Sequence, residues 1–119
     1  MIKIPEIFLT HILESVEQIE RTTQKLDVGS FRADREKQNA VVREYEIIGE
    51  AMKNIPAKFR KKYPQIPWQK AIGMRNKLIH EYFGVDLDLI WQTTKKDLPK
   101  LKSQIKAILD ELNKNKLFK

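Results

Sequence analysis

The chain has 119 residues and a mass of 14.1 kDa. This length suits one domain, which buries roughly two-thirds of the surface that its unfolded chain exposes. The absence of cysteine excludes disulfides, thiolate metal sites and a cysteine nucleophile. No apolar stretch approaches the roughly 18 residues of a membrane span, and the N-terminal residues lack the pattern of a signal peptide. We therefore predict an intracellular, cytoplasmic protein without a membrane partner.

The net charge of +7 is unevenly distributed along the chain. Residues 1–57 carry 8 basic and 10 acidic side chains, whereas residues 58–119 carry 15 basic and 6 acidic side chains. A basic surface attracts the phosphate backbone of nucleic acids. A solvated, lysine-rich surface has the same composition, so charge alone leaves both interpretations open.

Apolar residues recur with helical spacing along most of the chain, and no run alternates with a period of two, which predicts an all-α protein. The first amphipathic helix is predicted from about Ile4 to Leu26. Its apolar stripe consists of Phe8, Ile12, Val16 and Ile19. After it, Gly29 suits a left-handed helix end and Ser30 suits the cap of the next helix.

A second long helix is predicted from about Phe31 to Asn54, and Pro56 ends it. A short basic helix follows from Ala57 to Lys62. The two prolines of the next segment, Pro64 and Pro67, predict an extended connection, and Pro67 suits the first turn of a helix.

The remaining helices are predicted from about Trp68 to Phe83, from the cap Asp86 towards Asp97, and after a kink or restart at residues 97–99. We expect the tail, residues 113–119, to be frayed. Short connections between long amphipathic helices indicate an up-and-down helical bundle with a short extra helix, in a single domain covering residues 1–119.

One charged residue, Arg75, interrupts the apolar stripe of the helix that starts at Trp68. At about 100° per residue, Arg75 lies between apolar positions on the helical wheel. Burying a guanidinium without a partner costs several kcal/mol, so it must either meet an acid or line a cleft. Glu50 on the second helix is the candidate acid.

Three further polar residues lie near Arg75 on this helix: Asn76, His80 and Tyr82. Asn76 and His80 are four residues apart, and Tyr82 returns to the side of Arg75, so all four groups could face one pocket. They also fit structural roles, because an arginine can pair with a core carboxylate and a histidine is favourable near a helix C-terminus. A metal site is not predicted, since His11 and His80 are far apart in sequence and no dense acidic cluster exists.

The segment Arg75-Asn76-Lys77-Leu78-Ile79-His80-Glu81-Tyr82 resembles the motif of the HepT-like toxins, which is Arg, four residues, His, any residue and Tyr. These toxins belong to the HEPN superfamily of small helical ribonucleases. The resemblance extends from about Asp34 to Leu109. It includes, in the same order, Ile47-Ile48-Gly49-Glu50-Ala51, Pro64-Gln65-Ile66-Pro67-Trp68, Gly73-Met74, Gly84-Val85-Asp86, Trp91 and Asp97-Leu98-Pro99.

The resemblance implies an endoribonuclease that needs no metal or cofactor and whose protomers form a homodimer around a composite cleft. Arg75 and His80 are then the catalytic pair, and Asn76 and Glu50 support them, with Glu50 orienting Arg75. His80 can exchange a proton with the ribose 2′-hydroxyl or the leaving 5′-oxygen. Arg75 can stabilise the charge that builds on the phosphoryl oxygens.

The resemblance also implies a partner, a nucleotidyltransferase antitoxin that transfers AMP to Tyr82 and can form a larger assembly with the toxin. An anionic adduct near Arg75 would occupy the place of the RNA phosphate. The alternative hypothesis is a catalytically inactive helical module that binds a nucleotidyltransferase or nucleic acid.

Overall fold

The computed structural model describes residues 4–81 and 84–117, and over these residues it contains seven α-helices, one π-helical turn and no strand. The elements are α1 (Pro5–Thr23), α2 (Val28–Ala33), α3 (Arg35–Asn54), α4 (Ala57–Lys62), α5 (Trp68–His80), α6 (Leu87–Gln92), the π turn (Thr93–Asp97) and α7 (Leu98–Leu117). The predicted all-α class is confirmed.

The long helices α1, α3, α5 and α7 build the bundle. Helix α3 packs against both α1 and α5, and α7 packs against α1. The apolar stripe predicted for α1 supplies much of the core, because Ile12, Val16 and Ile19 are fully buried. The helical bundle is therefore confirmed. Of the three short helices, α4 has the predicted bounds and α6 begins directly after the predicted cap, whereas α2 was not predicted as a separate helix.

The prediction of one helix from Phe31 to Asn54 is wrong at its N-terminal end. Asp34 separates α2 from α3, so Phe31 belongs to α2 and the long helix begins at Arg35. Asp34 has an extended backbone, with φ of −117° and ψ of 93°, and its side chain accepts a hydrogen bond from the backbone N–H of Lys37. This cap satisfies a free N–H of α3 and favours a new helix start over continuation.

The connection after α1 also differs from the prediction. Asp27, not Ser30, caps α2, and its carboxylate accepts a hydrogen bond from the backbone N–H of Ser30 at 2.7 Å. Gly29 lies inside α2, and no glycine among the described residues has a positive φ, so the predicted left-handed end is wrong. Helix α1 already ends at Thr23.

The second half of the chain follows the predicted order. Helix α5 ends at His80, and the last two residues of the predicted helix lie outside the described residues. Asp86 caps α6 as predicted, since it accepts a hydrogen bond from the N–H of Leu89 at 3.0 Å. Where a kink or restart was predicted, the π turn joins α6 directly to α7, and α7 is helical as far as Leu117.

A buried hydrogen bond attaches α3 to the π turn on the side away from Glu50. Tyr45 is only 5% exposed, and its hydroxyl lies 2.6 Å from the hydroxyl of Thr94, which itself donates to the carbonyl of Ile90 at 2.8 Å. Burial raises the pKa of Tyr45 well above its usual range. The phenol therefore remains a neutral donor that fixes α3 in the bundle.

Within the described residues, no helix combines the length and the apolar character that crossing a membrane requires.

Candidate active site

The site begins at a close crossing of α3 and α5, where Gly49 faces Arg75. A Cβ atom added to Gly49 would lie 2.3 Å from the Cβ of Arg75 and 2.9 Å from the carbonyl oxygen of Ala71. Only a glycine permits this approach. The crossing therefore places the Arg75 side chain at the surface of α3, beside Glu50.

The guanidinium of Arg75 is held by two side chains. Its Nη2 lies 3.0 Å from Oε2 of Glu50, and its Nη1 donates to Oδ1 of Asn76 at 2.8 Å. The Asn54 amide donates to the Glu50 backbone carbonyl at 2.9 Å and to Oε1 at 3.3 Å, which steadies the carboxylate. Arg75 is 24% exposed, so a ligand can still reach the guanidinium.

Arg75 opens into a cleft of about 340 Å³ between α1, α3 and α5. The side chains that line it from α1 and α3 include His11, Arg43 and Glu46, besides Glu50. His11 had been considered only as a metal ligand, and Arg43 had not been singled out. No local pattern in α1 or α3 marks these two residues, because only the pairing of the two helices brings them to the cleft.

His80 lies in the last turn of α5 and is exposed to solvent. Asn76, one turn earlier, lies on the same side of the helix. Because Asn76 accepts a hydrogen bond from Arg75, it draws the guanidinium towards the side of α5 that bears His80. The structure thus groups Arg75, Asn76 and Glu50 directly. Of the four polar residues expected to face one pocket, only Arg75 is among the described side chains that line the cleft, and His80 follows Asn76 one turn later on the exposed side of the helix.

Tyr82 lies outside the described residues. Where the structure describes the chain, no three histidine, aspartate or glutamate side chains are grouped so that they could hold a metal ion. The described residues of the cleft and of the last turn of α5 include guanidinium groups, two carboxylates and imidazole groups.

The residues from 12 to 108 match the family model described as Ribonuclease HepT-like. The chain belongs to this family. The match runs from α1 to α7 and contains the whole of α3 and α5, so it covers Glu50, Arg75, Asn76 and His80. The resemblance found in the sequence is confirmed.

Individual relatives agree with the family. The chain is 46% identical over 101 residues to the probable ribonuclease HepT of Thermococcus cleftensis, covering 85% of this chain and 92% of that protein. It is 44% identical over 109 residues to a putative RNase of Caldanaerobacter subterraneus subsp. tengcongensis, covering 92% and 97%. No solved structure gives a significant match.

A third relative is longer than this chain. It is named gamma-glutamylcyclotransferase and putative RNase, comes from Methanocaldococcus jannaschii, and is 52% identical over 111 residues. The alignment covers 93% of this chain but 50% of the relative, so the chain spans half of that protein's length.

Proposed function

We propose that this chain is a metal-independent endoribonuclease toxin in which Arg75 and His80 are the catalytic residues. The observation that carries the proposal is the arrangement of Arg75, which is held by Glu50 and Asn76, remains open to a cleft, and shares a helix with the exposed His80. Family membership and the names of the relatives support ribonuclease activity.

The proposed reaction is an internal transesterification of RNA. The ribose 2′-oxygen attacks the adjacent phosphorus, the bond from phosphorus to the 5′-oxygen breaks, and the products are a 2′,3′-cyclic phosphate and a 5′-hydroxyl. One proton leaves the 2′-hydroxyl and one is delivered to the 5′-oxygen. His80 performs one of these transfers, for which an imidazole is suited near neutral pH.

Arg75 stabilises the negative charge that develops on the phosphoryl oxygens. Glu50 and Asn76 each contact one nitrogen of its guanidinium, and this group has five N–H donors, so donors remain for a phosphate. A guanidinium that is already oriented needs little rearrangement when charge builds in the transition state. Glu50 and Asn76 are positioning residues in this account.

Apolar side chains at the cleft favour a homodimer. Ile79 lines the cleft and is 41% exposed, and Ile7, which lies outside the cleft lining on α1 near His11, is 50% exposed. Exposed apolar side chains of this size beside a polar cleft are typical of protein interfaces. A second copy covering them would bring two Arg75 side chains to one shared cleft.

We further propose that a nucleotidyltransferase antitoxin neutralises the chain by transferring AMP to Tyr82. The position of Tyr82, two residues after His80, supports this assignment. The adduct adds an anionic phosphate that competes with RNA for Arg75. Incubation with the cognate nucleotidyltransferase, ATP and magnesium should add whole AMP increments to Tyr82, and the same treatment of the Tyr82→Phe variant should not. Modification at another residue would overturn the assignment.

The direct test of the proposed function is cleavage of labelled RNA in EDTA. The intact chain should cleave, His80→Ala should not, and Lys25→Ala should cleave normally, because Lys25 is an exposed charge outside α5 and outside the cleft. Binding without cleavage by the intact chain would instead support the catalytically inactive module.

A further inference from the structure

A second groove, of about 520 Å³, lies where α4 meets the beginning of α5. We name it the α4–α5 groove and define it by Arg60, Lys61, Gln69 and Lys70, which line it. Among the described residues that line the groove, none is acidic. This distinguishes it from the cleft at Arg75, whose lining includes Glu46 and Glu50.

The basic side chains of the α4–α5 groove differ in how firmly they are held. Arg60 is fixed, because its Nε donates to the backbone carbonyl of Ile55 at 3.1 Å. Lys70 forms an exposed ion pair with Asp97 at 3.1 Å, which a phosphate can displace at little cost. Lys61 is exposed. Three cations in a groove without a lining carboxylate are complementary to a polyanion.

The groove is suited to the phosphates of a nucleic acid and not to its bases. Its one aromatic residue among those described, Trp68, is 7% exposed, and its indole N–H donates to the carbonyl of Tyr63 at 2.9 Å. It therefore offers no face on which a base can stack. Contacts of this kind position a strand without reading its sequence.

An open surface connects the α4–α5 groove with His80. Gln69, Gly73, Asn76 and His80 are all exposed and follow each other on one side of α5. From Gln69 to His80 they span about 17 Å at the rise of an α-helix. A Cβ added to Gly73 would meet nothing within 4 Å, so packing inside the chain does not require a glycine there. Because Gly73 has no side chain, nothing projects from this part of the surface to obstruct an RNA strand that crosses it.

We propose that the α4–α5 groove binds the phosphate backbone of RNA beyond the scissile bond, and that the strand reaches it from His80 along the exposed side of α5. This inference rests on the proposed function, because it takes RNA as the substrate. Arg60, Lys61 and Lys70 are then binding residues outside the catalytic pair, and they hold the substrate without regard to its sequence.

The test is the salt dependence of RNA binding, measured by fluorescence anisotropy on the His80→Ala protein so that the strand is not cleaved. Lys61→Gln with Lys70→Gln removes two charges from the groove and leaves the Arg60 hydrogen bond in place. Each lost phosphate contact with a single strand lowers the slope of log affinity against log salt by about 0.7, so the double variant should lower it by about 1.4.

The matched control is Lys25→Gln with Lys106→Gln, which removes the same charge from exposed positions outside the groove. The control should bind long RNA more tightly and with a steeper salt slope than the groove variant. Equal slopes for the two double variants would overturn the proposal. An unchanged RNA affinity together with a changed mass in light scattering would also overturn it, because the groove would then contact protein.

A dinucleotide, which is too short to extend from His80 to the groove, gives an independent readout. Its affinity should be the same for the groove variant and the control, and an equal loss for dinucleotide and long RNA would overturn the proposal.

The experiments distinguish a failure of the groove proposal from a failure of the proposed function. If the intact chain binds RNA through the groove but does not cleave it, only the proposed ribonuclease function is contradicted. If the intact chain cleaves RNA but the two double variants have equal salt slopes, only the proposed role of the groove is contradicted.

Discussion

The two sides of α5 differ in how closely other atoms pack against them. Two glycines show this difference, Gly49 on α3 and Gly73 on α5. On the inner side, Gly49 of α3 allows a contact so close that a Cβ would lie 2.3 Å from Arg75. On the outer side, a Cβ at Gly73 would meet nothing within 4 Å. The inner side of the helix is therefore fixed against the bundle and orients Arg75 at the cleft, while the outer side carries His80 and is open to solvent. The hydrogen bond from Arg75 to Asn76 links the two sides.

The largest effect is expected from removing the oriented guanidinium itself. Arg75→Ala should lower RNA cleavage by about 10²–10³, the usual cost of losing one donor that stabilises transition-state charge. Arg75→Lys should also be impaired, because an ammonium lacks the planar fork that binds two phosphoryl oxygens. Cleavage rates and thermal midpoints measured on the same samples test this.

The thermal midpoint of Arg75→Ala should stay close to that of the intact chain, because the ion pair with Glu50 is partly exposed and such pairs contribute little to stability. A large fall in the midpoint would contradict the catalytic assignment and favour a structural role for Arg75.

The next largest effect is expected from substituting Gly49, the glycine at the close crossing of α3 and α5. Gly49→Ala should lower the free energy of unfolding by about 1–3 kcal/mol, because the new methyl group forces α3 and α5 apart. The displacement also moves Arg75 relative to Glu50, so cleavage should fall. Chemical denaturation measures the first effect, and a variant as stable as the intact chain would show that the crossing is not tight.

A smaller effect is expected at the carboxylate that orients Arg75. Glu50→Gln keeps the size of the side chain but removes the charge, and cleavage should fall by about fivefold, the rate equivalent of about 1 kcal/mol. The rate constant at saturating RNA measures this. If Glu50→Gln were as inactive as Arg75→Ala, Glu50 would have a direct catalytic role instead of a positioning role.

The smallest effect is expected from substituting Gly73 on the outer side of α5, and this substitution should stabilise the protein instead of destabilising it. Gly73→Ala should raise the free energy of unfolding by about 0.5–1 kcal/mol, because alanine is the better helix former and the site has room for it. Denaturation of this variant beside Gly49→Ala compares the same substitution on the two sides. A destabilised Gly73→Ala would contradict the open outer side.

The sequence was sufficient to predict the long helices and the cluster of polar residues on α5, because both depend on the spacing of apolar and polar residues that are close in sequence. Arg75 was recognisable as a charge inside an apolar stripe, and the structure places Glu50 beside it. The break at Asp34 was not predictable from spacing, since the apolar period continues through it while the Asp34 cap starts a new helix.

The cleft itself depends on tertiary packing, which a helical wheel does not contain. His11 and Arg43 reach it only because α1 packs on α3. Gly49 carried a local signal, a glycine in the middle of a helix, but its partner Arg75 lies 26 residues later and the contact emerges only when the two helices cross.

The most direct test of the central claim, that the groups on α5 cleave RNA through its 2′-hydroxyl, compares two substrates with the intact chain in EDTA. One is an RNA strand, and the other is the same strand with a single 2′-deoxynucleotide on the 5′ side of the cleaved bond. The RNA should be cut to a 2′,3′-cyclic phosphate and a 5′-hydroxyl, and the substituted bond should remain intact. Equal cleavage of both strands, or no cleavage of the RNA, would contradict the account.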